Sequence, residues 1–208
     1  MLAAQPGRCC CEAGPGAGFA GRDGTVIIFD WDDTLFPSTN LKCDWRVSFR
    51  KPLQDQRLPD VVKAEVGRHL EEYSEVLERL LRRAASCGKV LLVTLSRDPW
   101  VTLSCAFFLP RIERLLAELD IEVVYAGQGV QVAKEALQQM PPCEQLAFWS
   151  GVKGRTIAQI ASDFYSQYDG QAWGNVISIG DSECERLGAR EAAGEHLRSR
   201  GGGAPPAA

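Results

Sequence analysis

Several features are missing from this 208-residue sequence, and each absence excludes a class of protein. Its 23 basic residues are outnumbered by 27 acidic ones, which gives a net charge of -4. Without an excess of positive charge there is no electrostatic reason to expect nucleic acid or an anionic membrane as a partner. No apolar run approaches the roughly 18 residues that indicate a membrane span. Residues 1 to 21 also lack the hydrophobic segment of a signal peptide.

The eight cysteines do not have the spacing of a metal site. None forms a C-x-x-C pair, so a zinc site is not supported. Cys9–Cys11 could be an acylation site, but residue 2 is leucine, so no myristoyl signal accompanies the run. The other five are predicted to be small buried apolar residues of a reduced, intracellular (cytoplasmic) protein. These are Cys43, Cys87, Cys105, Cys143 and Cys184.

Hydrophobic periodicity divides the chain into a core and two tails. Residues 1–22 and 199–208 lack periodicity and are rich in Gly, Ala and Pro, which predicts disordered tails around a core of residues 23–198. Short, continuous apolar runs predict four strands, each buried on both faces as in parallel sheets. They cover residues 25–30, 89–95, 121–126 and 175–181.

Helical patterns separate these strands. The first runs from Pro59 to Gly88, Asp98 and Pro99 look like the cap and first residue of a second, and Pro110 opens a third. Residues 155–168 predict a fourth helix. The alternation indicates an α/β fold with a doubly wound, Rossmann-like, mostly parallel sheet of four strands. The stripe predicted for the fourth helix is Ile157, Ile160, Phe164 and Tyr168.

Carboxylates are concentrated where the predicted strands end. In "TVIIFDWDDTLFPS", residues 25–38, Asp30 and Asp32 follow the first strand, and Asp181 follows the fourth. Ligands of such sheets bind at the carboxyl ends of the strands. Each pair of like charges 4 Å apart costs about 4 kcal/mol at an effective dielectric near 20. A hard divalent cation removes that penalty, and ligation by oxygen alone favours Mg²⁺.

The motifs resemble those of a known family. "DWDDT" resembles the D-x-D-x-T signature of the haloacid dehalogenase (HAD) superfamily. Three further motifs follow in the family's order: Thr94 closing a strand, Lys153 opening a helix, and "GDSECE" closing a strand. The resemblance covers about residues 25–190. It implies a Mg²⁺-dependent phosphatase that hydrolyses a phosphomonoester or a phosphoprotein through an aspartyl-phosphate intermediate.

The resemblance also implies a role for each matching residue. Asp30 would be the nucleophile, and Asp32 would protonate the leaving oxygen and then activate water. Thr94 and Lys153 would hold the phosphoryl oxygens. Ser96 could replace Thr94 in this role. Arg155 and Lys134 are the alternatives to Lys153.

The implied Mg²⁺ ligands are acidic residues on two strand ends. They are Asp30, Asp32 through its backbone carbonyl, Asp181, and Glu185 acting through a water. Glu183 competes with Glu185 for the last position. Two other phosphate-binding patterns are weak: "AGQGVQVAKEAL" lacks the third glycine of a dinucleotide fingerprint, and "GVKGRT" lacks the spacing of a P-loop.

Residues next to these motifs have structural interpretations. Asp33 is predicted to stabilise a turn, and Thr34 to bond nearby backbone. Trp31 could contact substrate or simply pack. His69 and His196 lie on helical stretches far from the motifs and are predicted not to be catalytic.

The segment between the first motif and the first helix, about residues 35–57, could form an extended flap but is too short for a separate cap domain. After "GDSECE" no fifth strand follows, although the family fold usually has one. Two rival functions stay open: a phosphotransferase using the same nucleophile, and a partner-binding protein with the same fold. Substrate identity and oligomeric state are not predicted.

Overall fold

The computed structural model describes residues 24–168 and 173–201. The predicted tail 1–22, including Cys9–Cys11, lies outside these ranges, as do residues 202–208. The last helix continues through Gly201. The predicted start of the C-terminal tail at residue 199 is therefore too early.

Four parallel strands form the sheet of the described chain, and each lies within its predicted segment. They are β1 (Thr25–Phe29), β2 (Lys89–Thr94), β3 (Glu122–Tyr125) and β4 (Asn175–Ile179). Their spatial order is β3-β2-β1-β4. The chain moves outward from β1 to β3 and then crosses to the other side of β1, which confirms the doubly wound fold.

Burial differs between the centre and the edge of the sheet. Every residue of β1 is buried, as predicted. In β4 the prediction of two-sided burial is wrong, because Ile177 and Ile179 are 43% and 40% exposed. Ile177 pairs in register with Ile27, which is buried under the helical layer on that face. That layer covers β1 to β3, and no residue of β4 belongs to its core.

The helices on the Ile27 face follow the sequence pattern closely. They are α1 (Asp60–Cys87), α2 (Trp100–Phe108) and α3 (Pro110–Glu118). Pro59 and Gly88 flank α1, and Pro110 is the first residue of α3, as predicted. The prediction for α2 is wrong by one residue, because Pro99 takes the N-cap position that was assigned to Asp98.

The other face carries α5 (Pro142–Tyr165) and α6 (Glu183–Gly201), after a short α4 (Lys134–Gln139). The predicted start of α5 at residue 155 is wrong, because the helix begins at Pro142 and passes through Gly151 and Gly154 without a break. A Cβ at Gly154 would lie 3.0 Å from the carbonyl oxygen of Gly188 on α6. These glycines therefore allow two helices to approach closely and do not mark a turn. The fully buried stripe of α5 is Ile157, Ala161 and Tyr165.

The segment of residues 35–57 packs onto the α2 side of the sheet. It includes a π-helical turn, Asn40–Asp44, and a 3-10 turn, Leu53–Asp55. The Phe49 ring lies 5.2 Å from Trp100 and 5.8 Å from Phe108, centroid to centroid. Aromatic contacts therefore hold this segment against α2.

The cysteine prediction is only partly correct. The five cysteines within the described ranges are all free, but only Cys105 and Cys184 are buried. Cys43, Cys87 and Cys143 are exposed, so their predicted burial is wrong: each lies on the outer side of its helix or turn. In the described part of the chain, no helix is both long and apolar enough to cross a membrane.

Candidate active site

The carboxyl ends of β1, β2 and β4 meet at one edge of the sheet. The backbone N–H of Asp30 donates to the carbonyl oxygen of Ile179, the last residue of β4, at 2.9 Å. Asp181 lies two residues further along that strand end, and Thr94 is the last residue of β2. The predicted carboxylates therefore lie at the same end of adjacent strands, because all the strands run parallel.

A buried cluster of charge joins the sheet to both helices behind it. The Lys153 Nζ lies 2.6 Å from Asp30 Oδ1 and is also paired with Glu185 Oε1. Lys153 comes from the middle of α5 and Glu185 from the first turn of α6. Lys153, Asp30 and Glu185 are 2%, 7% and 4% exposed, so water screens these contacts little.

The three charged groups of this cluster differ in how burial and their neighbours shift their pKa values. Burial raises the pKa of Asp30 to about 6, because desolvation exceeds the attraction of Lys153. For Glu185 burial acts in the same direction, but the hydrogen bonds from Lys153 and Ser182 outweigh it and lower the pKa. Burial opposes the charge of Lys153, yet Asp30 and Glu185 together raise its pKa. The surroundings thus favour the charged forms of Lys153 and Glu185, whereas burial opposes the charge of Asp30.

The geometry distinguishes between the candidates that the sequence left open. Glu183 is exposed and ion-paired with Arg186, whereas Glu185 points into the cluster. Arg155 is exposed, although it is only two residues from Lys153. The side chain of Lys134 is not among those described. The structure therefore brings Lys153 and Glu185, and not Arg155 or Glu183, to Asp30.

Asp32 is held by donors that sequence reasoning did not assign to it. The Ser96 hydroxyl donates to Asp32 Oδ2 at 2.8 Å. The Trp100 Nε1–H donates to both carboxylate oxygens, at 3.0 and 3.1 Å. The only sequence signal for Trp100 is its position at the start of the helix that follows β2.

Thr94 and Ser96 occupy different positions in the loop after β2. Thr94 is 2% exposed, and its hydroxyl oxygen accepts a hydrogen bond from the Ser96 N–H at 3.0 Å. Ser96 is half-buried and directed toward Asp32. The choice between these two residues as phosphate ligands therefore stays a prediction.

The residues beside the first motif mostly fix its shape. Asp33 has a positive φ of 56°, and its carboxylate accepts hydrogen bonds from the N–H and hydroxyl of Thr39 at 2.7 and 2.6 Å. Its predicted turn role is confirmed. The prediction for Thr34 is wrong: its hydroxyl oxygen is buried and has no partner among the described residues. Trp31 packs, because it is fully buried with its Nε1–H donating to Ser104 at 2.9 Å.

The oxygen donors at this edge are chemically suited to a hard cation. Burial raises the pKa of Asp181, and the nearby charges of Glu185 and Asp33 raise it further. Asp30 and Glu185 contact the one ammonium group of Lys153. The exposed Asp181 lies close enough for the charges of Glu185 and Lys153 to act on it, so negative charge is in excess. Within residues 24–168 and 173–201, no group of three or more His, Cys, Asp or Glu side chains is arranged to hold a metal ion. A cation here would need two carboxylates and a backbone carbonyl.

The other glycine-containing patterns have structural explanations. A Cβ at Gly127 would lie 2.0 Å from the Leu95 carbonyl oxygen, so this glycine lets the β3 and β2 loops touch. The helix after it, α4, has only six residues. "GVKGRT" lies inside α5 and therefore is not a phosphate-binding loop. No family model, curated protein or solved structure matches this chain.

Proposed function

We propose that this chain is a Mg²⁺-dependent phosphatase of the HAD type, which hydrolyses a phosphomonoester through an aspartyl-phosphate on Asp30. The observation that carries the proposal is the contact of Lys153 with Asp30 at the carboxyl edge of the sheet. These residues are 123 positions apart in the sequence. Burying a lysine and a carboxylate together costs desolvation energy, and such buried charged groups are concentrated at functional sites.

Asp30 is suited to attack phosphorus. Lys153 donates a hydrogen bond to its carboxylate and so fixes its orientation. Above its pKa of about 6 the group is ionised and nucleophilic. Attack forms a bond between a carboxylate oxygen and phosphorus while the bond from phosphorus to the alcohol oxygen breaks.

Lys153 would stabilise the charge that is transferred. Its ammonium group lies beside the nucleophile, where the phosphoryl oxygens would also arrive, and Glu185 holds it there. A fixed cation in a site that excludes water stabilises a phosphoryl transition state more than a solvated one does.

Asp32 is the candidate for proton transfer. Its carboxyl group would give a proton to the departing alcohol oxygen in the first step. In the second step it would take a proton from the water that attacks the phosphorus of the intermediate, which releases phosphate and restores Asp30. Trp100 and Ser96 keep the group in one orientation through both steps.

Mg²⁺ would be held by the carboxylates of Asp30 and Asp181 and the backbone carbonyl of Asp32. When bound, it supplies positive charge between a carboxylate nucleophile and a phosphate dianion, which otherwise repel each other. The all-oxygen donor set and the excess negative charge support this assignment.

Phosphate release from an aryl phosphate in the presence of Mg²⁺ tests the proposal. The Asp30→Asn variant should lose about 10³-fold or more of the activity, because the amide cannot form the intermediate. Asp120→Asn, at an exposed position with positive φ, is the matched control and should keep it. Activity that persists in Asp30→Asn would refute the nucleophile assignment. Adding acceptor alcohols to the same assay separates hydrolysis from phosphotransfer.

A further inference from the structure

An open cavity of about 340 Å³ adjoins Asp32. Its walls come from the segment of residues 35–57 and from the loop and helix that follow β2. The volume is at the lower end of the roughly 300–1,000 Å³ typical of small-molecule sites. Besides Asp32, the lining residues are Ser38, Thr39, Lys42, Phe49, Ser96 and Trp100.

The position of Asp32 in this cavity indicates which part of a substrate would enter it. The role of this cavity depends on the proposed functions of Asp30 and Asp32. In an in-line displacement the leaving oxygen departs on the side opposite Asp30, and it must come within hydrogen-bond reach of Asp32. The rest of the leaving group therefore extends into the space that the Asp32 carboxylate lines.

The direction of the existing hydrogen bonds determines whether the hydroxyl groups of the cavity wall can donate a hydrogen bond to a ligand or accept one from it. The hydroxyl of Ser96 donates to Asp32, and that of Thr39 donates to Asp33. These two hydroxyl hydrogens are therefore already used. Their oxygens still carry free lone pairs, so the Ser96 and Thr39 side chains can accept hydrogen bonds from a ligand.

The charges and the aromatic rings of the cavity wall further restrict the class of ligand that can bind. Lys42 is an exposed residue of the cavity lining, and its ammonium group forms no ion pair with any described residue, so it remains a hydrogen-bond donor and disfavours a cationic ligand. The ionised Asp33 behind Ser38 and Thr39 disfavours an anionic one. The rings of Phe49 and Trp100 offer faces that pack against C–H groups.

We propose that this cavity binds a small, neutral, hydroxyl-rich leaving group, so that the substrate is the monophosphate of a polyol or sugar. Such a group supplies hydroxyl hydrogens to the serine and threonine oxygens and accepts a hydrogen bond from Lys42. Its C–H faces contact the two aromatic rings. An unfunctionalised alkyl group could use only the aromatic contact.

A series of phosphates of primary alcohols tests this. The series is n-propyl phosphate, glycerol 1-phosphate, sorbitol 6-phosphate, phosphoethanolamine, phosphoglycolate and a phosphoserine peptide. The kcat/KM for the two polyol phosphates should exceed that for n-propyl phosphate about tenfold or more, as expected from one or two added hydrogen bonds. The cationic, anionic and peptide substrates should be poorer than the polyols.

Two variants test the assignment of the cavity. Lys42→Met should reduce the ratio of kcat/KM between sorbitol 6-phosphate and n-propyl phosphate by about fivefold or more. Lys51→Met, in the same segment but outside the cavity lining, should leave that ratio unchanged. A preference for the peptide or for an ionic substrate, or an unchanged ratio in Lys42→Met, would overturn the inference.

The outcomes also separate this inference from the proposed function. Hydrolysis of n-propyl phosphate without any preference for polyols would refute the inference and leave the phosphatase assignment standing. Failure to release phosphate from every compound would refute both.

Discussion

At the scale of the residue, Asp30 lies in surroundings that oppose its charge. Its pKa of about 6 stands above the ordinary value of 3.8, mainly because the side chain is desolvated. Well below pH 3.8 the group is neutral in both the folded and the unfolded chain. Between pH 3.8 and about 6 the carboxyl group ionises in the unfolded chain but stays protonated in the folded one, so the stability that it contributes at low pH is lost over this range.

This gives a prediction for Asp30→Asn in metal-free buffer. The neutral amide avoids the desolvation cost, so the variant should be more stable than wild type by about 1 to 3 kcal/mol at pH 8. The difference should vanish at about pH 3, below the ordinary pKa of the group. Urea unfolding at both pH values measures it. A variant that is less stable than wild type at pH 8 would contradict the environment described for Asp30.

Trp100 offers a second prediction, about proton transfer. With Trp100→Phe, Asp32 loses the indole donor that orients it, and kcat/KM for an alkyl phosphate should fall about 10- to 100-fold. For 4-nitrophenyl phosphate, whose leaving group needs no proton, the change should be under about fivefold. Trp45→Phe, beside His69, should alter neither. Equal losses on both substrates would mean that Trp100 acts only through packing.

Residues at strand ends were predictable from the sequence, but their partners were not. Asp30, Asp32 and Asp181 follow apolar runs directly, so strand periodicity places them at one edge. The contact of Trp100 with Asp32 depends on how α2 leaves the sheet, and no local pattern encodes that. Lys153 was predicted to reach the site, but from a helix start and not from the middle of α5.

At the scale of the element, the contact between α5 and α6 determines where Lys153 and Glu185 meet. The boundaries of α1 were predictable because Pro59 and Gly88 are local signals. The start of α5 was not predictable. Gly154 lies inside this helix because the backbone of α6 approaches too closely for a side chain, and not because a helix begins there. Sequence alone does not distinguish a glycine that ends a helix from one that lets two helices touch.

A pair of alanine substitutions tests this explanation. Gly154→Ala should destabilise the protein and reduce phosphatase activity, because the new Cβ would press on the Gly188 carbonyl at 3.0 Å and move α6. Gly67→Ala in α1 is the control: its nearest neighbour is a leucine methyl group at 3.7 Å. It should gain about 0.5 to 1 kcal/mol from helix propensity. Thermal unfolding and phosphate release measure both. A stabilised and fully active Gly154→Ala would refute the close contact.

At the scale of the whole molecule, the sheet is covered unequally. The layer of α1 to α3 ends before β4, so an edge strand carries Asp181 with one apolar face exposed. The sequence of β4, "NVISI", resembles that of a buried strand, and coverage depends on helices placed elsewhere in the chain. This is why two-sided burial was predicted correctly for β1 and wrongly for β4.

Register partners on these strands provide a direct comparison. Ile27→Thr should cost about 2 to 4 kcal/mol, because it buries a hydroxyl and removes a methyl group from the core. Ile177→Thr, at the paired position of β4, should cost under about 1 kcal/mol, since the side chain is 43% exposed. Denaturant unfolding measures both values. Similar costs at the two sites would indicate that something covers β4 in solution.

The spacing along α5 limits how the length of this helix can change. Lys153 lies four residues before Ile157, and Ala161 and Tyr165 continue the same row of side chains buried in the protein core. Each residue of an α-helix adds about 100° of rotation. One residue inserted between Lys153 and Ile157 would turn the ammonium group away from the sheet edge. One residue inserted near Pro142 would leave the direction of Lys153 around the helix axis unchanged. Natural length variation in this helix should therefore be confined to its N-terminal half.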